Sequence, residues 1–166
     1  MILIGLSVKC SSSGPCIHWS KRIGKNNQIF MMPKFRTMKL GVPDVATDKL
    51  ENPSSFVTGF GSFLRKSSLD ELPQLWSVLR GQMSLVGPRP ALFNQYELIS
   101  LRTEVGVQEL LPGITGLAQV NGRDELTLKE KVALDLEYKE NHAFTFDLKI
   151  LLMTFVRIMR RNGISH

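Results

Sequence analysis

Hydrophobic residues recur at two different periods along this 166-residue chain, which predicts a mixture of strands and helices. Two short apolar runs, at 17–23 and 28–35, flank a polar and glycine-bearing turn at 24–27 and together predict a β-hairpin. Pro33 lies in the second run and should confine that strand to a sheet edge, because proline has no amide hydrogen to donate. Helical spacing predicts short helices over 56–66 and 72–79, helical turns between 93 and 108, and a surface loop over 41–55.

Capping sequences indicate where other helices begin. Thr127 followed by Glu130 has the spacing of a capping box, and it should open a helix that runs to about Asn141. Ser68 and Glu71 have the same spacing, so we expect them to begin the 72–79 helix. Thr145 is expected to cap the last helix, which ends in arginines before Gly163.

That last helix is unusually apolar. Hydrophobic side chains cover most of its circumference between residues 146 and 159. A narrow polar stripe contains Asp147, Thr154, Arg157 and Arg161. Such a helix is either buried in a core or lies at a membrane interface, and the pattern alone slightly favours the core. A bilayer-spanning helix needs about 20 apolar residues, which this one does not reach.

Composition then narrows the class of protein. A hydrophobic content of 43% excludes wholesale disorder, and the length suits a single compact domain. The net charge of +6 suits nucleic acid, an anionic lipid surface or a diphosphate substrate equally well. Because no stacking aromatics or nucleic-acid motif accompany the basic residues, we expect no nucleic-acid partner. Cys10 and Cys16 lack metal-site spacing and are interpreted as free thiols.

Two elements carry candidate chemistry. Asp70 and Glu71 lie at the start of a predicted helix, where the helix dipole favours negative charge and should keep Asp70 ionised. Ordinary first-turn acids are the alternative reading of such a pair. Arg89 stands between two prolines, which gives a rigid guanidinium suited to phosphate. Together these elements predict phosphoryl-group chemistry.

Other parts of the chain add basic residues and glycines around these two elements. Basic clusters lie at 34–39 and 65–66, and the glycine-punctuated segment 112–123 ends in Arg123. Glycines allow backbone amides to approach an anion closely. Six motifs occur in order: KFRTM at 34–38, LDELPQL at 69–75, SLVGPRP at 84–90, PGITG at 112–116, QVNGR at 119–123 and FDLKIL at 146–151.

On these motifs the chain, from about residue 14 to 166, resembles the bacterial sugar transferases. These are monotopic phosphoglycosyl transferases of the cytoplasmic face of the bacterial inner membrane. The resemblance implies transfer of a sugar-1-phosphate from a UDP-sugar to undecaprenyl phosphate, with release of UMP, as the first membrane step in assembling an O-antigen, capsule, exopolysaccharide or glycoprotein glycan. It implies that Asp70 is the nucleophile of a covalent aspartyl-phosphosugar intermediate, and that Glu71 helps to bind Mg²⁺.

The resemblance also implies roles for other residues. Lys34, Arg36, Arg65 and Arg89 are candidates for phosphate contacts. Gly113, Gly116 and Arg123 are candidates for the nucleotide side. Asp135 and Asp147 lie in family-like motifs, and for both a supporting role is favoured over chemistry.

The expected fold is α+β: a compact, helix-rich domain with a small β-hairpin and amphipathic helices at a membrane interface. The resemblance favours the membrane interface for the last helix as well, against the slight preference of its pattern alone. Residues 1–13 are interpreted as part of a hydrophobic re-entrant segment, which in the family is longer and broken at a Ser-Pro pair, and residues 14–166 as the catalytic domain. Expected partners are the UDP-sugar, undecaprenyl phosphate and an anionic membrane surface, with self-association left open. The alternative is a truncated, inactive relative that acts as an interaction protein.

Overall fold

The computed structural model describes residues 1–42, 52–122 and 125–162. The strands are β1 (Ile17–Ile23), β2 (Ile29–Phe35), β3 (Ser84–Val86) and β4 (Gly113–Thr115). The helices are α1 (Ile2–Ser11), α2 (Pro53–Phe56), α3 (Gly59–Ser67), α4 (Leu75–Leu79), α5 (Tyr96–Glu104), α6 (Leu117–Asn121), α7 (Leu128–Glu140) and α8 (Phe144–Asn162). Short 3₁₀ segments occupy Lys25–Asn27, Leu69–Gln74 and Val107–Glu109. The expected compact α+β architecture is confirmed.

The predicted hairpin is confirmed. Strands β1 and β2 pair antiparallel, with Ile17 opposite Phe35 and Ile23 opposite Ile29. Within the described ranges β2 pairs with β1 alone, as expected for a strand that contains Pro33. On the other edge of β1, the Ile23 amide donates to the Ala91 carbonyl over 2.9 Å. The hairpin is thereby joined to the chain that follows Arg89.

The glycine-punctuated segment 112–116, expected to be a loop on the nucleotide side, contains strand β4 at Gly113–Thr115. Strand β4 pairs parallel with β3, and this pairing continues where the Gly87 amide donates to the Thr115 carbonyl over 2.8 Å. A Cβ added at Gly113 would collide with the backbone of Gly87. The two backbone segments can therefore approach this closely only because residue 113 has no side chain. The amide of Gly113 donates to the Pro88 carbonyl and does not face a ligand.

Helix starts were predicted with mixed success. The Thr127–Glu130 capping box is confirmed at the start of α7, and the predicted helical turns between 93 and 108 are present as α5 and a 3₁₀ turn. The Ser68–Glu71 capping box is wrong: Ser68 has a φ of 57° and its side chain makes no cap hydrogen bond. A 3₁₀ turn containing Pro73 comes first, because an interior proline cannot donate the α-helical hydrogen bond. The α-helix begins only at Leu75.

Two other boundaries differ from the sequence expectation. Helix α8 starts at Phe144, so Thr145 lies inside it and does not cap it. The end of the expected 41–55 loop is helical, as α2, and residues 43–51 lie outside the described residues. Helix α3 was correctly predicted, with the Thr58 side chain accepting from the Gly61 amide at its start over 3.0 Å.

Two of the buried clusters connect the elements around the site. Val86, Leu117, Tyr138 and Ile150 join β3 to α6, α7 and α8. Val8, Phe35 and Leu64 join α1, β2 and α3. The 3₁₀ segment 69–74 packs against β2, α3 and α4, and its Leu69 and Leu72 lie on the second of these clusters, which holds the segment that carries Asp70 and Glu71.

Helix α8 packs on the domain through one side, which includes the buried Ile150, and exposes a broad apolar face on the other. Its polar stripe faces the protein: Asp147 accepts from the Tyr138 hydroxyl over 2.7 Å, and Arg157 donates to the Val120 carbonyl over 2.8 Å. Exposed apolar side chains cover its outer face, namely Phe144, Leu148, Leu152, Phe155 and Met159. Core burial, which the pattern alone slightly favoured, is wrong for this outer face, although Ile150 on the inner side is fully buried. None of the helices in the described part of the chain is both long and apolar enough to cross a bilayer.

Candidate active site

An ion-pair cluster forms where three segments of the chain meet. Glu71, on the 3₁₀ turn, accepts on Oε1 from Lys34 Nζ of β2 and from Arg89 Nη2, each over 2.8 Å. Only 13% of the Glu71 side chain is exposed, so both bonds lie largely out of water. Hydrogen bonds between charged groups in such surroundings are short and strong.

The cluster has unusual protonation behaviour. Burial alone would raise the pKa of Glu71, but the charges of Arg89 and Lys34 outweigh it and hold that pKa well below its usual range. Burial lowers the pKa of Lys34 to about 8; the charge of Arg89 acts in the same direction and that of Glu71 opposes it. Glu71 is therefore ionised at any ordinary pH, whereas Lys34 loses its charge under mildly alkaline conditions.

Asp70 lies beside this cluster but is not part of it. Within the described residues, its half-buried carboxylate forms no hydrogen bond or ion pair. Burial raises the pKa of Asp70, although the nearby charges of Lys34, Arg65 and Arg89 oppose the shift. That Asp70 is ionised stays a prediction: burial acts against the ionised form, and the neighbouring cations favour it. An unpaired carboxylate among cations is free to attack an electrophile that those cations hold.

A cavity of about 230 Å³ opens next to Glu71 and Arg89. Charged or polar residues contribute part of its wall, namely Lys66, Ser68, Glu71, Arg89, Thr115, Gln119, Thr154 and Arg157. Apolar residues contribute the rest, namely Leu72, Leu75, Ile114, Val120 and Ile158. Asp70, the neighbour of Glu71 in sequence, is not a lining residue.

The cavity wall includes residues that the sequence did not single out. Among the described residues, both amide atoms of Gln119 are buried without a hydrogen-bond partner, a costly arrangement that a bound polar group would relieve. Its place at the start of the QVNGR motif was the available signal. Thr154 was noted only as part of a polar stripe; its hydroxyl forms a 2.7 Å hydrogen bond with that of Thr115.

The predicted phosphate and nucleotide residues divide into two groups. Lys34, Arg65 and Arg89 lie around the two carboxylates, and Arg65 is oriented by donating from Nε to Thr37 Oγ1 over 2.9 Å. Arg36 is buried elsewhere and donates from Nη2 to the Ser12 carbonyl over 2.8 Å. The phosphate contact expected of Arg36 is therefore not supported by its position.

The remaining predicted residues lie away from the cluster or outside the description. Gly113 and Gly116 pack against Gly87, where a Cβ would collide with the backbone, so both are packing glycines in this fold. Arg123 lies outside the described residues. Asp135 is buried in an ion pair with Arg102, and Asp147 accepts from Tyr138; neither faces the cavity, in keeping with supporting roles.

The residues present fit a magnesium ion that is shared with a substrate. The described residues hold no group of three or more potential ligands among His, Cys, Asp and Glu. Mg²⁺ commonly needs only one or two carboxylates and takes its other ligands from substrate phosphates and water. The adjacent carboxylates of Asp70 and Glu71, with Glu71 always ionised, supply that donor set.

The family model described as "Bacterial sugar transferase" matches residues 1–161, and the chain therefore belongs to the bacterial sugar transferase family. A UDP-glucose:undecaprenyl-phosphate glucose-1-phosphate transferase of Xanthomonas campestris pv. campestris is 40% identical over 96% of this chain and 34% of its own length. The exopolysaccharide production protein ExoY of Sinorhizobium fredii is 36% identical over 98% of this chain and 78% of its own. An undecaprenyl-phosphate galactose phosphotransferase of Salmonella typhimurium is 35% identical over 90% of this chain. The chain spans about a third of the Xanthomonas and Salmonella proteins.

Proposed function

We propose that this protein transfers a sugar-1-phosphate from a UDP-sugar to undecaprenyl phosphate. The observation that carries the proposal is the unpaired Asp70 carboxylate beside a Glu71 held by two cations, Lys34 and Arg89. Two cations beside the nucleophile would neutralise the charge of a diphosphate substrate. The names of the Xanthomonas and Salmonella relatives support this substrate class.

In the first step, an oxygen of the Asp70 carboxylate attacks the β-phosphorus of the UDP-sugar. The bond from that phosphorus to the bridging oxygen breaks, and UMP leaves with the electron pair. Asp70 then carries the sugar phosphate as an acyl phosphate. A carboxylate nucleophile is suited to this step because it divides one difficult transfer into two easier ones.

In the second step, a phosphate oxygen of undecaprenyl phosphate attacks the same phosphorus. The bond to the Asp70 oxygen breaks, which regenerates the carboxylate and yields a diphosphate-linked lipid sugar. Throughout, Lys34 and Arg89 bind phosphoryl oxygens, and Glu71 fixes the positions of both cations. A Mg²⁺ ion held by Glu71, with Asp70 adjacent, would supply further neutralisation of phosphoryl charge.

The cavity next to the cluster suits the rest of a substrate with both polar and apolar parts. Gln119 offers a donor and an acceptor that have no partner in the part of the chain that the structure describes, so we assign it a hydrogen bond to the substrate. The apolar wall at Leu72, Leu75 and Ile158 suits the first carbons of the lipid acceptor. Contact between these apolar side chains and water is unfavourable, and a bound lipid chain would remove that free-energy cost.

The assay that tests the proposal is UMP release from a panel of UDP-sugars, with undecaprenyl phosphate and Mg²⁺ supplied. UMP should appear with at least one UDP-sugar, together with a radiolabelled lipid product. A UDP-sugar panel that gives neither UMP nor labelled lipid contradicts the proposed reaction.

Activity should fall as the pH rises through about 8. Below that pH Lys34 is protonated and can neutralise a diphosphate; above it the buried ammonium loses its proton. The alkaline limb of kcat/KM should therefore have its midpoint near pH 8, because this ratio reports the free enzyme. Lys34→Arg should move the limb beyond pH 10, since arginine stays charged to about pH 12.

The matched control for this profile is Lys139→Arg. Lys139 also pairs with an acid, Glu109, but lies away from the cluster. Its replacement should leave the alkaline limb unchanged. A limb that stays near pH 8 in Lys34→Arg contradicts the assignment to Lys34.

We propose that the outer face of α8 holds the protein at an anionic membrane surface. Leu152 and Phe155 are 60% and 62% exposed there, so replacing both with serine removes apolar surface without opening the core. Each of these side chains, when inserted into the bilayer, should contribute about 1.5–3 kcal/mol to the free energy of binding. The double replacement should therefore weaken binding to phosphatidylglycerol vesicles at least tenfold. Vesicle co-sedimentation measures this binding.

The control pair is Ile29→Ser with Met31→Ser, two exposed apolar residues on β2. This variant should bind vesicles as the wild type does. An equal loss in both pairs would mean that α8 has no special part in the binding.

A further inference from the structure

The turn that carries Arg89 is held from outside by three donors. The Gly113 amide donates to the Pro88 carbonyl over 2.9 Å, and Arg102 Nη1 donates to the Arg89 carbonyl over 2.8 Å. Arg22 Nη1 donates to the Pro90 carbonyl over 3.1 Å. Pro88 and Pro90 have no amide hydrogens, so this turn cannot be fixed by the usual donation from its own backbone.

Of the two arginines that donate to this turn, Arg102 is more deeply buried than Arg22. It is 9% exposed, and its Nε and Nη2 both donate to Oδ2 of Asp135, over 2.9 and 2.6 Å. Asp135 is 1% exposed and lies on α7, whereas Arg102 lies on α5. The guanidinium thus uses one edge for Asp135 and its remaining nitrogen, Nη1, for the carbonyl of Arg89.

A pair that served only the packing of α5 against α7 would not require a bond to the active-site turn. The third contact reaches the backbone of the very residue whose side chain binds Glu71. The Arg89 guanidinium starts from a main chain that is fixed on both sides by proline and at its own carbonyl by Arg102. Such support limits where the guanidinium can be placed.

We propose that Arg102, held by Asp135, is a positioning residue for Arg89. It fixes the main chain of Arg89 so that the guanidinium meets the diphosphate of the substrate. This inference rests on the proposed function, because Arg89 must contact the diphosphate for its position to matter. Neither Arg102 nor Asp135 touches the cavity, so both act through Arg89.

The decisive variant is Arg102→Lys. An ammonium keeps the charge opposite Asp135, but its donors diverge from one atom and do not reproduce the planar fork that joins Asp135 to Arg89. We expect about a tenfold loss of affinity for UDP, from the loss of one charge-assisted hydrogen bond that supports the binding arginine. UDP affinity is measured by titration calorimetry, and thermal unfolding is followed in parallel.

A double-mutant cycle separates positioning from general stability. Arg89→Lys alone should weaken UDP binding, and Arg89→Lys combined with Arg102→Lys should weaken it no further. If Arg102 acts independently of Arg89, the two losses multiply instead. The control is Lys139→Met, which removes a comparable bond from α7 to a backbone carbonyl, that of Gly106 over 2.9 Å, and should leave UDP affinity unchanged.

A further variant guards against loss of folding. Replacing the pair together, with Arg102→Met and Asp135→Leu, removes both buried charges, and such replacements often preserve stability. This variant should unfold near the wild-type temperature and still bind UDP about tenfold more weakly. Restored UDP affinity in it would overturn the positioning role.

The remaining outcomes are equally decisive. Unchanged UDP affinity in Arg102→Lys, multiplying losses in the cycle, or no effect of Arg89→Lys each overturns the inference. If the wild type binds UDP but releases no UMP from any UDP-sugar, the proposed reaction fails, and the UDP cycle still decides the role of Arg102. A wild type that does not bind UDP contradicts both.

Discussion

Asp70→Asn should abolish turnover, with a loss of at least about 10⁴-fold in kcat. An amide cannot form the acyl phosphate that the proposed first step requires. The protein should remain folded, because the Asp70 carboxylate makes no hydrogen bond or ion pair within the described residues. Burial already disfavours its ionised form, so the neutral amide should unfold at the same temperature as the wild type or slightly above it.

Intact-mass spectrometry provides the direct measurement. Wild-type protein given a productive UDP-sugar without lipid acceptor should gain the mass of one phosphosugar, and peptide mapping should place it on Asp70. Asp70→Asn should gain nothing. Glu97→Gln, at an exposed acid in the first turn of α5, is the control and should gain the same mass as the wild type. An adduct mapped to another residue would contradict the nucleophile assignment.

Glu71→Gln has the second largest expected effect, on both activity and stability. The change leaves Lys34 and Arg89 close together without the carboxylate that both contact. Breaking a buried pair in this way costs about 3–5 kcal/mol, which thermal or denaturant unfolding would detect. Lys34 and Arg89 would no longer be held in place, and a metal ligand would be lost, so kcat should fall by about 10²–10³-fold.

The dependence of activity on Mg²⁺ distinguishes a role of Glu71 as a metal ligand from its role in holding Lys34 and Arg89 in place. Excess EDTA should stop UMP release by the wild type. Glu71→Asp keeps a charge but shortens the side chain, so it should need a higher Mg²⁺ concentration for half-maximal rate while remaining folded. Full activity of the wild type in EDTA would reject a metal role, and an unchanged Mg²⁺ requirement in Glu71→Asp would leave Glu71 as a holder of cations alone.

Local signals in the sequence predicted much of the fold. The turn at 24–27 and the Thr127–Glu130 box each act within a few residues, so their structures follow from nearby chemistry. The Ser68–Glu71 spacing misled for an equally physical reason. Glu71 is engaged by Lys34 and Arg89, which are 37 and 18 residues away in sequence, and these contacts outweigh a local cap.

The reactive groups of the site were predictable from the sequence, but the residues that hold those groups in place were not. Acids, basic residues and the proline-flanked arginine were visible as motifs, and three of the predicted cations do lie around Asp70 and Glu71. Arg36 belongs to the same motif as Lys34, yet it follows the last residue of β2, and its Nη2 donates to the Ser12 carbonyl after the N-terminal helix, a contact 24 residues away that no local signal announces. Arg102 had no local signal, since its partner Asp135 lies 33 residues away.

The inward polar side of α8 has a practical consequence for anyone preparing this protein. Trimming that helix to improve solubility would remove more than exposed hydrophobic residues. Thr154, Arg157 and Ile158 would be lost from the cavity wall, and Thr115 and Val120 would lose the bonds that tie them to it. A shortened protein that is easier to purify should therefore be a poor reporter of substrate preference, and point substitutions on the outer face are the safer route to a tractable sample.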